Sequence, residues 1–227
     1  MRKLTILLIV LGLGLTACSS AKTEGKSSFG EISGFLKEKL KLVLHKRAQG
    51  RSAPSLKRSA LAGIKTRLIL AHLEKTGTYS ALSLVGRNNG FLSMMSPDQR
   101  MLVLKDGVLA ETRGLSGDLM ESDTTALRAA LKNPRHPSRF VHKLRWLNGE
   151  NHPVSADYSC TLRNIGTQKI TIVERVYATW HLRESCAGKG STFENDFWTD
   201  RKSGEVWQSR QWVGPRINYV SLQLLVP

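Results

Sequence analysis

The residues of this chain that could carry chemistry are few: three cysteines, six histidines and the close carboxylates Glu194 and Asp196. Cys160 and Cys186 form an even pair once Cys18 is set aside. A bridge between them would close a loop of about 26 residues, worth roughly 3 kcal/mol in the chain-entropy picture. The alternatives are two free thiols or half of a metal site. The histidines (His45, His72, His136, His142, His152, His181) are scattered, with no Cys-x-x-Cys and no pair at helical spacing, so the other half of a metal site is not visible. Glu194 and Asp196 resemble the paired acids that cleave a glycosidic bond. On a strand, however, they share one side with Asn195 opposite, which reads as two adjacent surface acids. There is no Gly-x-Ser-x-Gly elbow, no Ser/His/Asp spacing of a triad and no phosphate-cradling glycine loop. A non-catalytic protein without metal or cofactor is expected.

Cys18 stands in a different setting. Arg2 and Lys3 precede an almost unbroken apolar run from Leu4 to Leu15, which ends Leu15-Thr16-Ala17-Cys18-Ser19. The run is too short to span the bilayer, which needs about 20 residues, and has the form of a secretory signal. The segment looks like the lipobox of bacterial lipoproteins, in which the cysteine thiol takes lipid before cleavage in front of it. The expected divisions are a signal peptide over 1–17, a lipid-anchored basic tether over 18–60 and a folded domain over 61–227. Acylation, with palmitate among the chains, would fix the tether to membrane lipid. Ser19, rather than Asp, suits forwarding to the outer membrane. The oxidising envelope then favours a disulfide for the remaining cysteines.

The chain has 227 residues and a net charge of +16, which alone would suggest a nucleic-acid binder. Export argues against that partner. The charge is concentrated near the anchor: Lys22 to Lys75 holds 13 Lys plus Arg against four Asp plus Glu. Within it, Phe29, Ile32, Leu36, Leu40 and Val43 recur at helical spacing with lysines between them. Such a helix either lies on anionic lipid or packs on the domain. Gln49 to Ser55 reads as a linker.

The elements beyond are strands. Arg67–Leu73, Thr78–Val85, Arg100–Lys105, Val108–Arg113, Lys169–Trp180, Thr192–Thr199, Glu205–Val213 and Ile217–Val226 are short runs. Turn signals such as Asn89-Gly90 and Asp106-Gly107 separate several of them. Thr124 to Leu131 suits a short helix capped by Asp123. Many antiparallel strands in sequence make an all-β meander, and a sheet of that size curls. Four of the five tryptophans (Trp180, Trp198, Trp207, Trp212) lie in the last 48 residues. They either fill the core of a wide β structure or present a face for sugar rings.

The same stretch carries a resemblance. Glu194-Asn195-Asp196-Phe197-Trp198-Thr199-Asp200, then Ser203-Gly204-Glu205-Val206-Trp207-Gln208-Ser209-Arg210-Gln211 and Gly214-Pro215, resembles the YjbF/GfcB lipoproteins of capsule and exopolysaccharide operons. Leu104 to Gly107 and Thr112 to Leu119 match a second family segment, while Phe91 to Asp98 lacks the tryptophan usual there. The cysteine pair and the closing Leu225-Val226-Pro227 also look like the family. The resemblance implies an outer-membrane lipoprotein facing the periplasm, with a large meander curled into a half-barrel. It also implies a non-catalytic role in assembly or export of a polysaccharide, through export partners or an acidic glycan. A fold-level analogy with half-barrel carriers keeps a lipid carrier as the alternative. On physical grounds, Asp200 to Gly204 should be a hairpin turn with Gly204 at positive φ, and Ser209 and Gln211 need hydrogen-bond partners if buried. Asn195, Trp198, Asp200, Gly204, Trp207, Ser209, Gln211 and Pro215 are therefore read as structural or as a ligand surface.

Overall fold

A computed structural model describes residues 54–188 and 190–227. The expectations for the signal peptide, for Cys18 and for the helix over residues 29–44 lie outside the described residues. A single 3-10 turn, Arg58–Leu61, leads into the sheet. Five strands follow: β1 (Leu68–Leu73), β2 (Thr78–Asn88), β3 (Phe91–Met95), β4 (Met101–Lys105) and β5 (Val108–Arg113). The remainder are β6 (Leu119–Ser122), β7 (Ser138–Leu147), β8 (Pro153–Ile172), β9 (Arg175–Gly188), β10 (Ser191–Asp200), β11 (Val206–Trp212) and β12 (Tyr219–Val226). Helix α1 (Thr125–Leu131) separates β6 from β7.

All twelve strands belong to one sheet, ordered β5-β4-β3-β2-β1-β12-β11-β10-β9-β8-β7-β6. Each strand pairs antiparallel with its chain neighbour, and β1 also pairs with β12, Leu73 opposite Val220. The two ends of the meander therefore lie in mid-sheet, and among the described residues the only gap in the ladder falls in mid-chain, between β5 and β6. The curled all-β meander is borne out, and the curl continues until the sheet is nearly a closed barrel with this one seam. Side chains bridge the seam. Thr112 Oγ1 donates to Asp118 Oδ1 (2.7 Å), and Leu119 N donates to Thr112 Oγ1 (2.9 Å). Asp118 also accepts from Gly114 N and Leu115 N, each at 2.9 Å.

Inward-facing residues from every strand fill the interior, among them Ile69, Leu82, Met94, Leu104, Leu144, Tyr158, Phe193 and Leu222. Leu127, Ala130 and Leu131 of α1 pack with Leu162, Leu182 and Phe197 in a second cluster. A third lies on the other face of β1, where Leu68 and Leu70 meet Ile170, Ile172 and Tyr177 of the β8–β9 hairpin. That hairpin is long enough to fold back there because β8 has 20 residues, with a register shift between Asn164 and Gly166. Arg58 pins it: its N–H donates to Glu174 Oε2 (2.9 Å) and its guanidinium donates to Leu225 O (3.1 Å), Ile172 O (3.2 Å) and Tyr177 Oη (3.4 Å).

Cys160 and Cys186 stand opposite each other on β8 and β9 and form a disulfide. Three expectations about elements need correction. The predicted single strand over 169–180 is the end of β8, a two-residue turn at Val173-Glu174 (φ 45° and 65°) and the start of β9. A type I′ turn demands positive φ twice, and these residues carry none of the Asn-Gly signal that announces one. Three strands, β3, β6 and β7, and most of β8 lie where no strand was expected. Asp123 does hold the start of α1, accepting from Thr125 N (3.1 Å), although the N-cap position itself is Thr124.

Candidate functional site

Outside the barrel, the turn end of the β8–β9 hairpin and the β10–β11 turn enclose an open groove of about 620 Å³. Its walls are aromatic. Tyr177 and Trp207 lie 4.0 Å apart between ring centroids, tilted by 35°, and Trp180 forms the neighbouring wall. Its rim is basic: Arg135, Arg175, Arg201 and Lys202 face it, against the single carboxylate of Asp200. Arg201 lies over the Trp180 ring at 4.9 Å and Arg175 over Tyr177 at 5.6 Å, positions in which a guanidinium is held by the ring quadrupole. Val176 beside them is 60% exposed, so apolar surface is left open to a ligand.

The turn that builds one wall follows from its sequence. Asp200 Oδ1 accepts from Lys202 N (2.9 Å) and Ser203 N (2.8 Å), and Gly204 supplies φ 74°. Trp207 Nε1 donates to Asp200 Oδ2 at 3.3 Å, which fixes the indole against the turn. The backbone N–H of Ser203 above all, with those of Lys202 and the indole, holds the Asp200 carboxyl below its ordinary range. Asp200, Gly204 and Trp207 are thus brought together at the groove.

The other residues singled out in the sequence go elsewhere. Trp198 stacks on His181 (4.7 Å, 7°) and donates to Gln168 Oε1 (2.8 Å). Ser209 and Gln211 are buried in the interior. Gln211 Oε1 accepts from Leu109 N (2.8 Å), while its amide donates to Gly107 O (3.1 Å) and Ser209 Oγ (2.8 Å). Gln211 therefore ties β11 across the barrel to the β4–β5 turn, where any Cβ on Gly107 would stand 2.4 Å from Val206 Cβ. Pro215 sits exposed between β11 and β12. The surface-acid reading holds for Glu194 only. Asp196 is buried on the outer face of the sheet because His181 Nε2 (2.7 Å) and Arg183 Nε (2.8 Å) cover it.

Asn195 leads to residues the sequence did not announce. Its Nδ2 donates to Glu184 Oε2 (2.7 Å) and its Oδ1 accepts from Trp212 N (2.6 Å). Glu184 Oε1 lies 2.8 Å from His142 Nδ1, and His142 Nε2 lies 2.7 Å from Ser122 Oγ. A carboxylate only accepts, so Nδ1 donates to Glu184, and in the neutral imidazole Nε2 then accepts from the serine. Ser122, His142 and Glu184 are 8%, 3% and 0% exposed. The order is that of a nucleophilic relay, but the hydrogen bond from the hydroxyl is buried and the acid is held from both sides. We read it as a brace linking β6, β7, β9, β10 and β11. Only the alternation Phe140, His142, Leu144, Trp146 in β7 could have shown that His142 points inward.

A second groove, about 660 Å³, follows the seam. It mixes Glu111, Glu121, Asp123 and Asp157 with Lys143 and Arg145, so it offers a polyanion no net attraction.

The described residues thus form a twelve-stranded meander curled nearly into a barrel, with its opening in mid-chain, a cystine in its wall and an aromatic, basic groove outside. The family described as "Group 4 capsule polysaccharide lipoprotein gfcB, YjbF" matches residues 37–225, and the chain belongs to it. The uncharacterized lipoprotein GfcB of Escherichia coli (strain K12) is 31% identical over 138 residues. That match covers 59% of this chain and 64% of GfcB, so the chain spans less than two thirds of that relative's length. The crystal structure of the hypothetical lipoprotein YmcC from Escherichia coli (K12) has a TM-score of 0.68 and 25% identity. It is covered over 90% of its length by 76% of this chain.

Proposed function

We propose that the protein is an outer-membrane lipoprotein, anchored through acylated Cys18 and facing the periplasm, that assists assembly or export of an extracellular polysaccharide without catalysis. Its part in that process is to hold an acidic glycan in the groove of Tyr177, Trp180 and Trp207. The observation that carries this reading is the joining of aromatic side chains to four cations that line one open groove. Pyranose rings present C–H faces to aromatics, and uronate carboxylates pair with guanidinium groups. Membership of a capsule polysaccharide family supports the same substrate class. Export proteins remain the other partner class, and the exposed Val176 edge is where one would dock. The interior, which the barrel's own side chains fill, favours this reading over the carrier alternative.

The test is binding of a polyuronate, with neutral dextran as the control, to the full-length protein in detergent. Binding is expected to the polyuronate only and to weaken as salt rises, since exposed charges are screened beyond about 10 Å at 0.1 M. The paired Arg175→Glu and Arg201→Glu substitutions should lower affinity at least about tenfold, the equivalent of ~1.4 kcal/mol. Equal binding of dextran, or indifference to salt, would overturn the glycan reading. In cells, deletion should lower surface polysaccharide, and the wild-type gene but not Cys18→Ala should restore it.

A further inference from the structure

The buried brace and the disulfide adjoin each other. His142 and Glu184 lie beside Cys160 and Cys186, and one donor atom from each of the four stands within 4.8 Å of every other. We infer that, once the cystine is reduced, Cys160, Cys186, His142 and Glu184 form a tetrahedral site for zinc or a similar borderline-soft divalent cation. This inference is independent of the glycan reading.

The donor set is two sulfurs, one imidazole nitrogen and one carboxylate oxygen, each a zinc ligand type. With bonds of about 2.0–2.3 Å, a tetrahedral zinc holds its donors about 3.3–3.8 Å apart. The four atoms thus need movements of about 1 Å, apart from the two sulfurs, which separate when their bond breaks. The backbone already directs them inward. Cys160 and Cys186 are directly opposed on β8 and β9, Glu184 is two residues from Cys186 on the same face, and His142 reaches over from β7.

The outer partners are also in place. Metal-bound histidines usually donate their free ring N–H to a neighbour, and ligating carboxylates are themselves held. Ser122 Oγ meets His142 Nε2 at 2.7 Å, and Asn195 Nδ2 meets Glu184 Oε2 at 2.7 Å. A hydroxyl both donates and accepts, so Ser122 serves the tautomer with Nε2 protonated as well as the one that now donates from Nδ1. The orientation required of a metal site is therefore built into the residues of the brace.

The chemistry balances as follows. A dithiol gives two electrons and two protons to the cystine and becomes a cyclic disulfide, leaving two thiols. The cation displaces both thiol protons, and the imidazole proton moves from Nδ1 to Nε2, so two protons are released per metal bound. Two thiolates and one carboxylate around a dication leave one negative charge, met by the amide of Asn195. In the oxidised form the sulfurs are bonded to each other and no site exists.

The full chain in detergent is reduced with dithiothreitol, desalted without oxygen and titrated with cobalt(II), then with zinc in competition. One cobalt per chain is expected, with a thiolate charge-transfer band and the intense visible bands of tetrahedral coordination. The oxidised protein should show neither. Ser122→Ala and Asn195→Ala should weaken metal affinity by roughly 10- to 100-fold, the range for outer partners. His142→Ala should weaken it more. If reduction loosens the fold, metal should restore the near-ultraviolet circular dichroism of the oxidised form. Failure of a reduced chain, folded or not, to take up one cobalt with these bands would overturn the inference. So would equal affinity in the His142→Ala protein, because two thiols alone would then account for the binding.

Discussion

Glu184 shows how much a single buried acid constrains a barrel. Its carboxylate is fully enclosed, and both oxygens are occupied, by His142 and by Asn195. Removing one partner of a buried pair leaves the other uncompensated, at a cost of about 3–5 kcal/mol. His142→Ala is therefore expected to lower unfolding free energy by about that amount, read from the shift of the urea midpoint at unchanged slope. A loss under ~1 kcal/mol would show that the pair contributes little beyond packing. At this scale the sequence was legible wherever one residue type has one local use. Gly204 at positive φ and the pairing needs of Ser209 and Gln211 are of that kind. His142 and Glu184 were not legible, because they are 42 positions apart and separated by a whole strand. Their encounter depends on the register of β7, β8 and β9, which one residue of slip would abolish.

The β10–β11 turn illustrates the element scale. Asp200 accepts two backbone N–H bonds within the turn and the indole bond of Trp207, so the folded state holds its carboxyl below the ordinary range. A depressed folded value means stabilisation that is present above the unfolded pKa and lost as pH falls through the folded one. Asp200→Asn keeps an acceptor at Oδ1 but carries no charge. The wild type should thus lose more melting temperature than this variant between neutral pH and the acid side of the carboxylate range. Identical pH profiles would rule out a contribution from Asp200. The ends of β2, β4 and β5 were legible at glycine turns: Asn89-Gly90 and Asp106-Gly107 both adopt the positive φ their types favour. The hairpin between β8 and β9 escaped because Val173 and Glu174 adopt the same geometry against their preference. The outward face of β8 is also polar, and its inward face holds Ala156 and Cys160 among larger residues, so its alternation is weak.

For the whole molecule, curling could be anticipated from the number of strands, but the position of the opening could not. It depends on β1 finding β12, a pairing between residues more than 140 apart in the chain. This topology makes a direct prediction. If the ends that pair in mid-sheet are joined by a short flexible linker and new ends are cut at Ser116–Gly117, the strands follow one another from β6 round to β5. The permuted protein should fold to the same circular dichroism spectrum and form the same disulfide, since the cut falls in a connecting loop beside the exposed Ser116 and such loops tolerate new termini. A permutant that collects in aggregates would mean that closure of the β5–β6 loop is needed to set the barrel's register.

Under the anchoring proposed above, a glycan drawn outward past the groove would load the protein against the membrane. The tether enters the sheet at β1, which is laddered on both sides, so tension is shared by two rows of hydrogen bonds and does not peel an edge. Arg58 stands just ahead of that point, and its guanidinium holds both the end of β12 and Tyr177 in the groove wall. Tension on the segment ahead of β1 would therefore reach Tyr177 both through the Arg58 guanidinium and through Leu61, which packs in the same cluster.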